Sequence, residues 1–380
     1  MMQGQELATG SPEDVGFDPE HFKVIDDVIN GALARGTFPG AVVLVARNGK
    51  VVRHTDYGMA METPQPREMA PSTLFDLASL TKVIVTVPLS LMLVERGLWQ
   101  LNDPIDRFLP QFEGGGKPQI TLWHLLTHTS GLPAWANLFY RGPGRDQAYS
   151  ELFTDNWPVT SLLHRPGERV IYSDLGYILL GKAIEAVSGK TLDIIADEWI
   201  FTPLGMSDTM FNPPEALEAR IAATEEDPDR GGVLVGVVHD ENAWAMGGVA
   251  GHAGLFSTTW DLARFAHMLL NRGYANGRRI LSPSAIDLMT SPQTEGLNER
   301  RGLGWMIQGP GTSAAGDLMS SRAFGHTGFT GTSVWIDPVY ELIVVLLTNR
   351  VHPQRERGQE EIQRVRALVH NGVVAAIADE

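Results

Sequence analysis

The chain has no cysteine among its 380 residues. That excludes disulfides, thiolate nucleophiles and cysteine-ligated metals. Long apolar runs are missing too. The apolar stretch from Val83 to Val94 is too short to cross a bilayer, and Pro88 interrupts it. Positive charge is in deficit, with 30 Lys and Arg against 45 Asp and Glu and a formal net charge of −15. An acidic surface disfavours nucleic acid or an anionic membrane as partner and suits a protein acting on a small molecule. The opening residues, Met1 to Glu6, lack a basic start followed by an apolar run. They are not a secretory signal, and a cytoplasmic location is expected, although a trimmed export product fits the same start. Several catalytic signatures are also absent. There is no G-x-S-x-G elbow. No Glu follows His124 in the His124/His128 pair, so it is not the zinc-protease motif. The Gly-rich run Met246–Ser257 lacks the Lys-Ser/Thr ending of a phosphate loop and reads as close backbone packing.

What is present is an ordinary globular composition, 43% hydrophobic and 20% charged, with room for a large core and one or two domains. Asp18-Pro19 starts a helix that Gly36 closes. The apolar runs Ala41–Arg47 and Val51–Tyr57 flank Asn48-Gly49, a strong hairpin signal. Residues 59–73 read as a loop. From Val83 to about Thr290 the periodicity is mainly helical, with helices expected over Leu122–His128 (capped by Thr121), Leu175–Val187, Thr191–Ile200, Thr259–Leu270 and Pro283–Met289. Ala134–Asn156 and Asn212–Glu241 read as long surface loops. Strand character returns at Gly304–Gln308, Thr332–Ile336 and Leu342–Thr348, and a helix over Ile362–Ile377 closes the chain. A sheet built from both chain ends, with a helical region inserted, fits this order. The expected division is an α/β domain of residues 1–82 and 291–380 and a mainly helical domain of 83–290, with the active site between them.

Three short stretches carry chemistry. In Ser79-Leu80-Thr81-Lys82, residues i and i+3 share a helical face, which brings the lysine beside the serine hydroxyl. The helix start adds unpaired N–H groups and partial positive charge, a way to make a serine nucleophilic. Tyr172-Ser173-Asp174 stands at a helix entrance, a common place for a side chain to face a cleft. Gly325-His326-Thr327-Gly328 places a polar pair between glycines on a strand edge, where a ligand can approach the backbone. His239-Asp240-Glu241 reads as a hydrogen-bonding cluster rather than a metal site. Trp99, Trp123, Trp135, Trp157 and Trp244 read as core or cleft walls.

Ser-x-x-Lys, Tyr-Ser-Asp and His-Thr-Gly, in that order, resemble the motifs of the serine β-lactamase/DD-peptidase superfamily. The resemblance is to class C β-lactamases, DD-carboxypeptidases and their esterase relatives, the family VIII carboxylesterases. It runs from about Phe38 to Asn349. Leu125–Leu132, Pro203-Leu204-Gly205-Met206 and Val249–Ser257 also look familial. The resemblance implies an α+β fold of the β-lactamase/transpeptidase type, an antiparallel sheet flanked by helices plus an all-helical domain. It implies that Ser79 is acylated and that Lys82 or Tyr172 takes its proton. It places the oxyanion between the N–H groups of Ser79 and Phe329, with His326, Thr327, Gly328 and Asp174 around the substrate. No cofactor and no metal are implied.

Free lysine and tyrosine titrate near ~10.4 and ~10, so one of Lys82 and Tyr172 is expected to be shifted down. Asp174 stands where relatives acting on peptides or β-lactams carry Asn, and a carboxylate cannot donate to a substrate carbonyl. His326 in place of lysine weakens a fixed positive charge. Both lean toward a carboxylesterase acting on small or short-chain esters. The alternatives are a β-lactamase, a D-amino-acid (DD-) peptidase, or a penicillin-recognising sensor that acylates without turning over. The expected partner is a small ester or amide, with no nucleic acid and no membrane.

Overall fold

The computed structural model describes residues 7–112, 119–138, 144, 162–309 and 314–378. Its frame is a sheet that is apolar on both faces. Strand β1 is Ala8–Thr9, helix α1 is Val24–Ala34, and strands β2 and β3 are Gly40–Arg47 and Lys50–Met61. Asn48 and Gly49, at φ +51° and +76°, make the tight turn between β2 and β3. After them come β4 (Phe75–Asp76), α2 (Val87–Glu95), α3 (Leu122–Leu126), α4 (Asp174–Ser188), β5 (Met210–Phe211) and α5 (Glu241–Ala245). Then follow β6 (Leu255–Ser257), α6 (Thr259–Leu270), β7 (Met306–Ile307), β8 (Phe324–Thr327), β9 (Ser333–Asp337), β10 (Leu342–Thr348) and α7 (Ile362–Ala375).

Among the described residues the large sheet has the order β1-β3-β2-β10-β9-β8-β7, with Arg67–Glu68 paired to the end of β3. Its strands come from both ends of the chain. All pairings are antiparallel except β1 with β3. Alternation along β2 explains the layering. Val42, Leu44 and Ala46 join one apolar core, while Ala41, Val43 and Val45 join another on the opposite face. Helices α1 and α7 cover the second face through Ile25, Ile29, Val365, Val369 and Val373. Helix α6 covers the first through Leu262, Phe265 and Ala266, and that core continues without a break into α2 and α4. A single apolar cluster therefore spans the sheet and the inserted helices.

Several expected boundaries shift. Strand β3 runs on to Met61 and pairs with Arg67–Glu68, so residues 59–73 are only partly loop. The helix after Ser79 begins with a wide π turn over Lys82–Thr86, closed by Val87 N–H to the Lys82 carbonyl. Pro88 explains it. Proline has no N–H for the Ile84 carbonyl, and its ring would crowd that group in a regular turn. Helix α3 stops at Leu126, and His128 takes φ +59°. Segment 212–241 is more than a surface loop. Ile221, Ala222, Ala223, Leu234 and Val238 are buried in it, and it carries a 3-10 turn over Glu215–Arg220. Of the other expected loop, 139–156 lies outside the described residues apart from Gly144. Trp157 lies outside them too. No helix among the described residues is long and apolar enough to cross a membrane.

His370 of α7 is fully buried beside Trp335, with Nδ1 2.6 Å from the Ala314 carbonyl. Burial pushes its pKa down to about 4. An unfolded histidine titrates near ~6.5. Between those values the unfolded chain holds a proton that the folded chain does not, so stability falls as pH falls, by ~1.4 kcal/mol per unit. His370→Gln should flatten the pH dependence of unfolding free energy between pH 6.5 and 4.5 by about one proton. Urea titrations across that range measure it, and an unchanged slope would contradict the assignment.

Candidate active site

The turn that carries Ser79 is held from behind by a small sheet. Strand β4 pairs with β6, and β6 pairs in turn with β5. Leu77 N–H reaches the Leu255 carbonyl at 2.9 Å. Ala78 then takes φ +47°, a left-handed conformation that costs a non-glycine residue about 1–2 kcal/mol. This kink presents the half-buried Ser79 at the start of the helix.

Lys82 follows one turn later with no exposed surface. Its Nζ donates to Ser79 Oγ and to the His252 carbonyl, each at 3.0 Å. Asp174 Oδ1 lies 2.7 Å away as a charge partner, off the direction of a hydrogen bond. The Gly-rich run makes the second contact possible. A Cβ on Gly251 would stand 2.1 Å from the Tyr177 carbonyl, so only glycine lets this backbone reach the helices. The Gly251 carbonyl also accepts from Thr86 Oγ1 at 2.6 Å.

Tyr172 and Asp174 flank the N-cap of α4. Ser173 Oγ accepts from Gly176 N–H at 3.3 Å and donates to the Pro133 carbonyl at 2.6 Å. Asp174 N–H binds the Ala134 carbonyl at 2.8 Å. The Tyr172 ring lies 4.5 Å from the His128 ring and 5.9 Å from that of His326. Two cations face it, Lys82 Nζ at 4.9 Å and the Arg301 guanidinium at 5.3 Å. Both histidines are neutral. Burial, together with Arg301 and Lys82, holds their pKa values well below the ordinary range. His128 Nδ1 accepts from Ser173 N–H at 3.0 Å, so its proton is on Nε2. His326 Nδ1 faces the Thr327 carbonyl at 2.8 Å, which only accepts, so its Nε2 carries the lone pair.

The expected downward shift of Lys82 or Tyr172 is not found. Burial works against the Lys82 ammonium, but Asp174 and then Tyr172 outweigh it, and its pKa is raised. Burial raises the Tyr172 phenol, with Lys82 offsetting only part of that. The resting site therefore holds an ammonium, a neutral phenol and a carboxylate. The residue responsible is Asp174, whose charge is spent on Lys82 rather than left to repel a substrate.

Opposite Ser79, β8 delivers His326, Thr327 and Gly328. Strand β7 pairs only with Phe324 and Gly325, so His326 and Thr327 emerge where β8 is an edge. A Cβ on Gly328 would lie 2.4 Å from the Leu77 carbonyl, so glycine is required for the strand to touch the nucleophile turn. The backbone N–H groups of Ser79 and Phe329 have no acceptor among the described residues. Seven of the eight expected site residues line one cleft of about 740 Å³, and the eighth, Lys82, is fully buried behind Ser79 with its Nζ 3.0 Å from Oγ.

Several residues at the cleft were not singled out from the sequence. Arg301 sits in a charged run, Glu299-Arg300-Arg301, and is buried and tied to Glu299 through Nε at 2.9 Å. Arg350 donates to the Phe329 carbonyl at 2.5 Å, and Arg366 to those of Gly328 and Thr332 at 3.0 and 2.9 Å. Neither has a carboxylate within salt-bridge distance among the described residues, although Glu356 acts on Arg350 from further off, and burial beside Arg350 brings the Arg366 pKa down to about 9. In the 239–241 cluster, His239 pairs with Glu225 at 2.9 Å, Asp240 with His252 at 2.8 Å and Glu241 with Arg355 at 2.6 Å. Trp135 and Phe329 stand half-exposed at the mouth.

Comparison with known proteins agrees with this arrangement. Residues 25–368 match the family described as beta-lactamase. A putative D-alanyl-D-alanine carboxypeptidase of Salmonella paratyphi B is 34% identical over 377 residues, covering 91% of this chain and 86% of the relative. Three solved structures share the fold. A class C beta-lactamase superposes with TM-score 0.75 at 18% identity, covering 95% of this chain and 98% of its own. EstCE1, a hydrolase with promiscuous acyltransferase activity, gives 0.72 at 24% identity, covering 93% and 99%. A penicillin-binding protein homologue from Caulobacter crescentus gives 0.71 at 23% identity, covering 94% and 99%. The chain belongs to the beta-lactamase family, within the serine β-lactamase/DD-peptidase superfamily, and is a hydrolase of that fold.

Proposed function

We propose that this hydrolase is a carboxylesterase that works through an acyl-enzyme on Ser79. The observation that carries the reading is the Lys82–Asp174 ion pair at 2.7 Å. It puts an acceptor-only group, already engaged by lysine, where an amide would bind an acylamino side chain. A short-chain ester needs no such donor.

The resting charges suggest how the proton moves. Ser79 Oγ attacks the ester carbonyl and gives its proton to the Tyr172 oxygen, while the phenol's own proton passes to the departing alcohol oxygen. No free base is required. The Lys82 ammonium, 3.0 Å from Ser79 Oγ, remains charged and stabilises negative charge growing there. The carbonyl oxygen turns toward the N–H groups of Ser79 and Phe329, and removing one such donor typically costs ~3 kcal/mol. Water then takes the alcohol's place, and the same relay run backwards releases the acid.

A second reading rests on Arg350 and Arg366. Two guanidinium groups with no salt-bridged carboxylate among the described residues, at the Thr327 end of the cleft, suit a substrate carboxylate. That favours a D-amino-acid carboxypeptidase, the activity in the name of the Salmonella relative.

Three outcomes are expected. Ser79→Ala should lower p-nitrophenyl butyrate turnover roughly 10³-fold or more; ester turnover surviving this change would remove the mechanism. Side by side, the ester should be turned over faster than nitrocefin or a D-Ala-D-Ala peptide. If the peptide dominates and Arg366→Gln raises only its KM, the carboxypeptidase reading replaces the ester one. Finally, kcat/KM should show no alkaline loss until about pH 10, because Lys82 and Tyr172 keep their resting protons up to there. Asp174→Asn removes the charge that holds the ammonium, so its alkaline limb should move to lower pH. An unmoved limb would mean that Lys82 does not set it.

A further inference from the structure

We propose that Asp76 is a positioning residue for acyl transfer, fixing the two oxyanion donors relative to each other through the backbone on either side. The proposal rests on the reading of Ser79 and Phe329 as those donors.

Asp76 ends β4 and is 2% exposed. Its carboxylate has no cationic partner among the described residues. Each oxygen instead accepts one backbone N–H, Oδ1 from Ala78 at 2.8 Å and Oδ2 from His239 at 2.6 Å. Its own carbonyl accepts the Thr330 hydroxyl at 2.7 Å, and the next carbonyl, Leu77, accepts the Thr332 hydroxyl at 3.0 Å. One residue thus joins the nucleophile turn, the loop ahead of α5 and the turn between β8 and β9.

These are the joints on which the oxyanion geometry depends. Ala78 precedes Ser79, and its left-handed φ is unfavourable for alanine unless something holds it. The Asp76–Ala78 bond closes that turn. Thr330 follows Phe329, so its bond to the Asp76 carbonyl anchors the second donor to the first. The Asp76–Ala78 and Thr330–Asp76 bonds, with the parallel bond from Thr332 to Leu77, tie the two N–H groups to one short stretch of chain. A donor pair is productive only when held within about 0.5 Å of its geometry.

The residue type fits. A carboxylate offers acceptors on both oxygens, whereas Asn would turn an NH₂ toward one of the two N–H groups. A merely structural Asx turn would need only the Ala78 bond. The second side-chain bond, to His239 N–H, gives the carboxylate a reach that a local turn does not require, and it holds in place the backbone carbonyl that Thr330 binds.

The test uses the full chain, with p-nitrophenyl butyrate as substrate and an aryl boronic acid as probe. The boronate adds to Ser79 and sets an oxygen where the oxyanion forms. Asp76→Ala should lower kcat roughly 10- to 100-fold, weaken boronate binding by a similar factor and leave KM within about twofold. Asp76→Asn, keeping one acceptor, should fall between Asp76→Ala and the wild type. Thr330→Val, which removes the bond to the Asp76 backbone carbonyl and leaves the carboxylate in place, should lower the same two quantities less, and Asp76→Asn decides the matter if Asp76→Ala does not fold. Folded variants with lower melting temperature but unchanged kcat and boronate affinity would overturn the proposal. A wild-type protein that binds no boronate, or binds it equally after Ser79→Ala, would overturn the Ser79 reading and the proposal with it.

Discussion

An ammonium group without access to water sets the terms for the whole cleft. Burying a lone charge costs several kcal/mol, and the cost is met only by good partners. Lys82 has them in Asp174, Ser79 and the His252 carbonyl, with the Tyr172 ring alongside. Each partner imposes its own demand. The His252 carbonyl requires Gly251 to lie against Tyr177, and Asp174 requires α4 to begin at that point. The nearby histidines respond by staying neutral, first because burial disfavours a charged ring and then because a further positive charge beside Arg301 and Lys82 would be repelled. The electrostatics of the site are thus one coupled arrangement, and its resting state carries one proton on the lysine and one on the phenol.

The backbone is organised around a second constraint, the approach of β8 to the nucleophile turn. Gly328 leaves no room for a side chain against Leu77, and Thr332 and Thr330 bond to the carbonyls of Leu77 and Asp76. Arg350 and Arg366 then bind the carbonyls of Phe329, Gly328 and Thr332 from the far side. The edge of the large sheet is therefore locked to the turn that carries Ser79. A sheet built from both chain ends gives that lock its rigidity, because β2 and β10 are buried on both faces, and a one-residue slip would exchange side chains of different size between two close-packed cores.

Much of this could be read from local pattern. Asn48-Gly49, Thr121 and the start of α6 at Thr259 act within a few residues, through turn chemistry and capping, and they stand where expected. The motif residues Ser79, Lys82, Tyr172, Asp174 and His326-Thr327-Gly328 were legible because spacing and order carry them. The π turn at Lys82 was not, because it is a compromise between Pro88 and the helix around it. Arg301 and Arg366 were hidden in runs of charge, where nothing local separates a solvated arginine from one folded inward. Asp76 gave no signal either, since the N–H groups it binds lie two residues away at Ala78 and far along the chain at His239.

The sequence by itself determined the fold class and singled out Ser79 and the ordered set of groups around it, because periodicity, capping and motif spacing are properties of neighbouring residues. It did not determine protonation. Lysine and tyrosine each need a lowered pKa to serve as a free base, and only the folded chain shows that both are raised. The reason is distance in space. Asp174 is 92 positions from Lys82 in the chain and 2.7 Å from it in the structure, and a carboxylate at that range decides which proton stays.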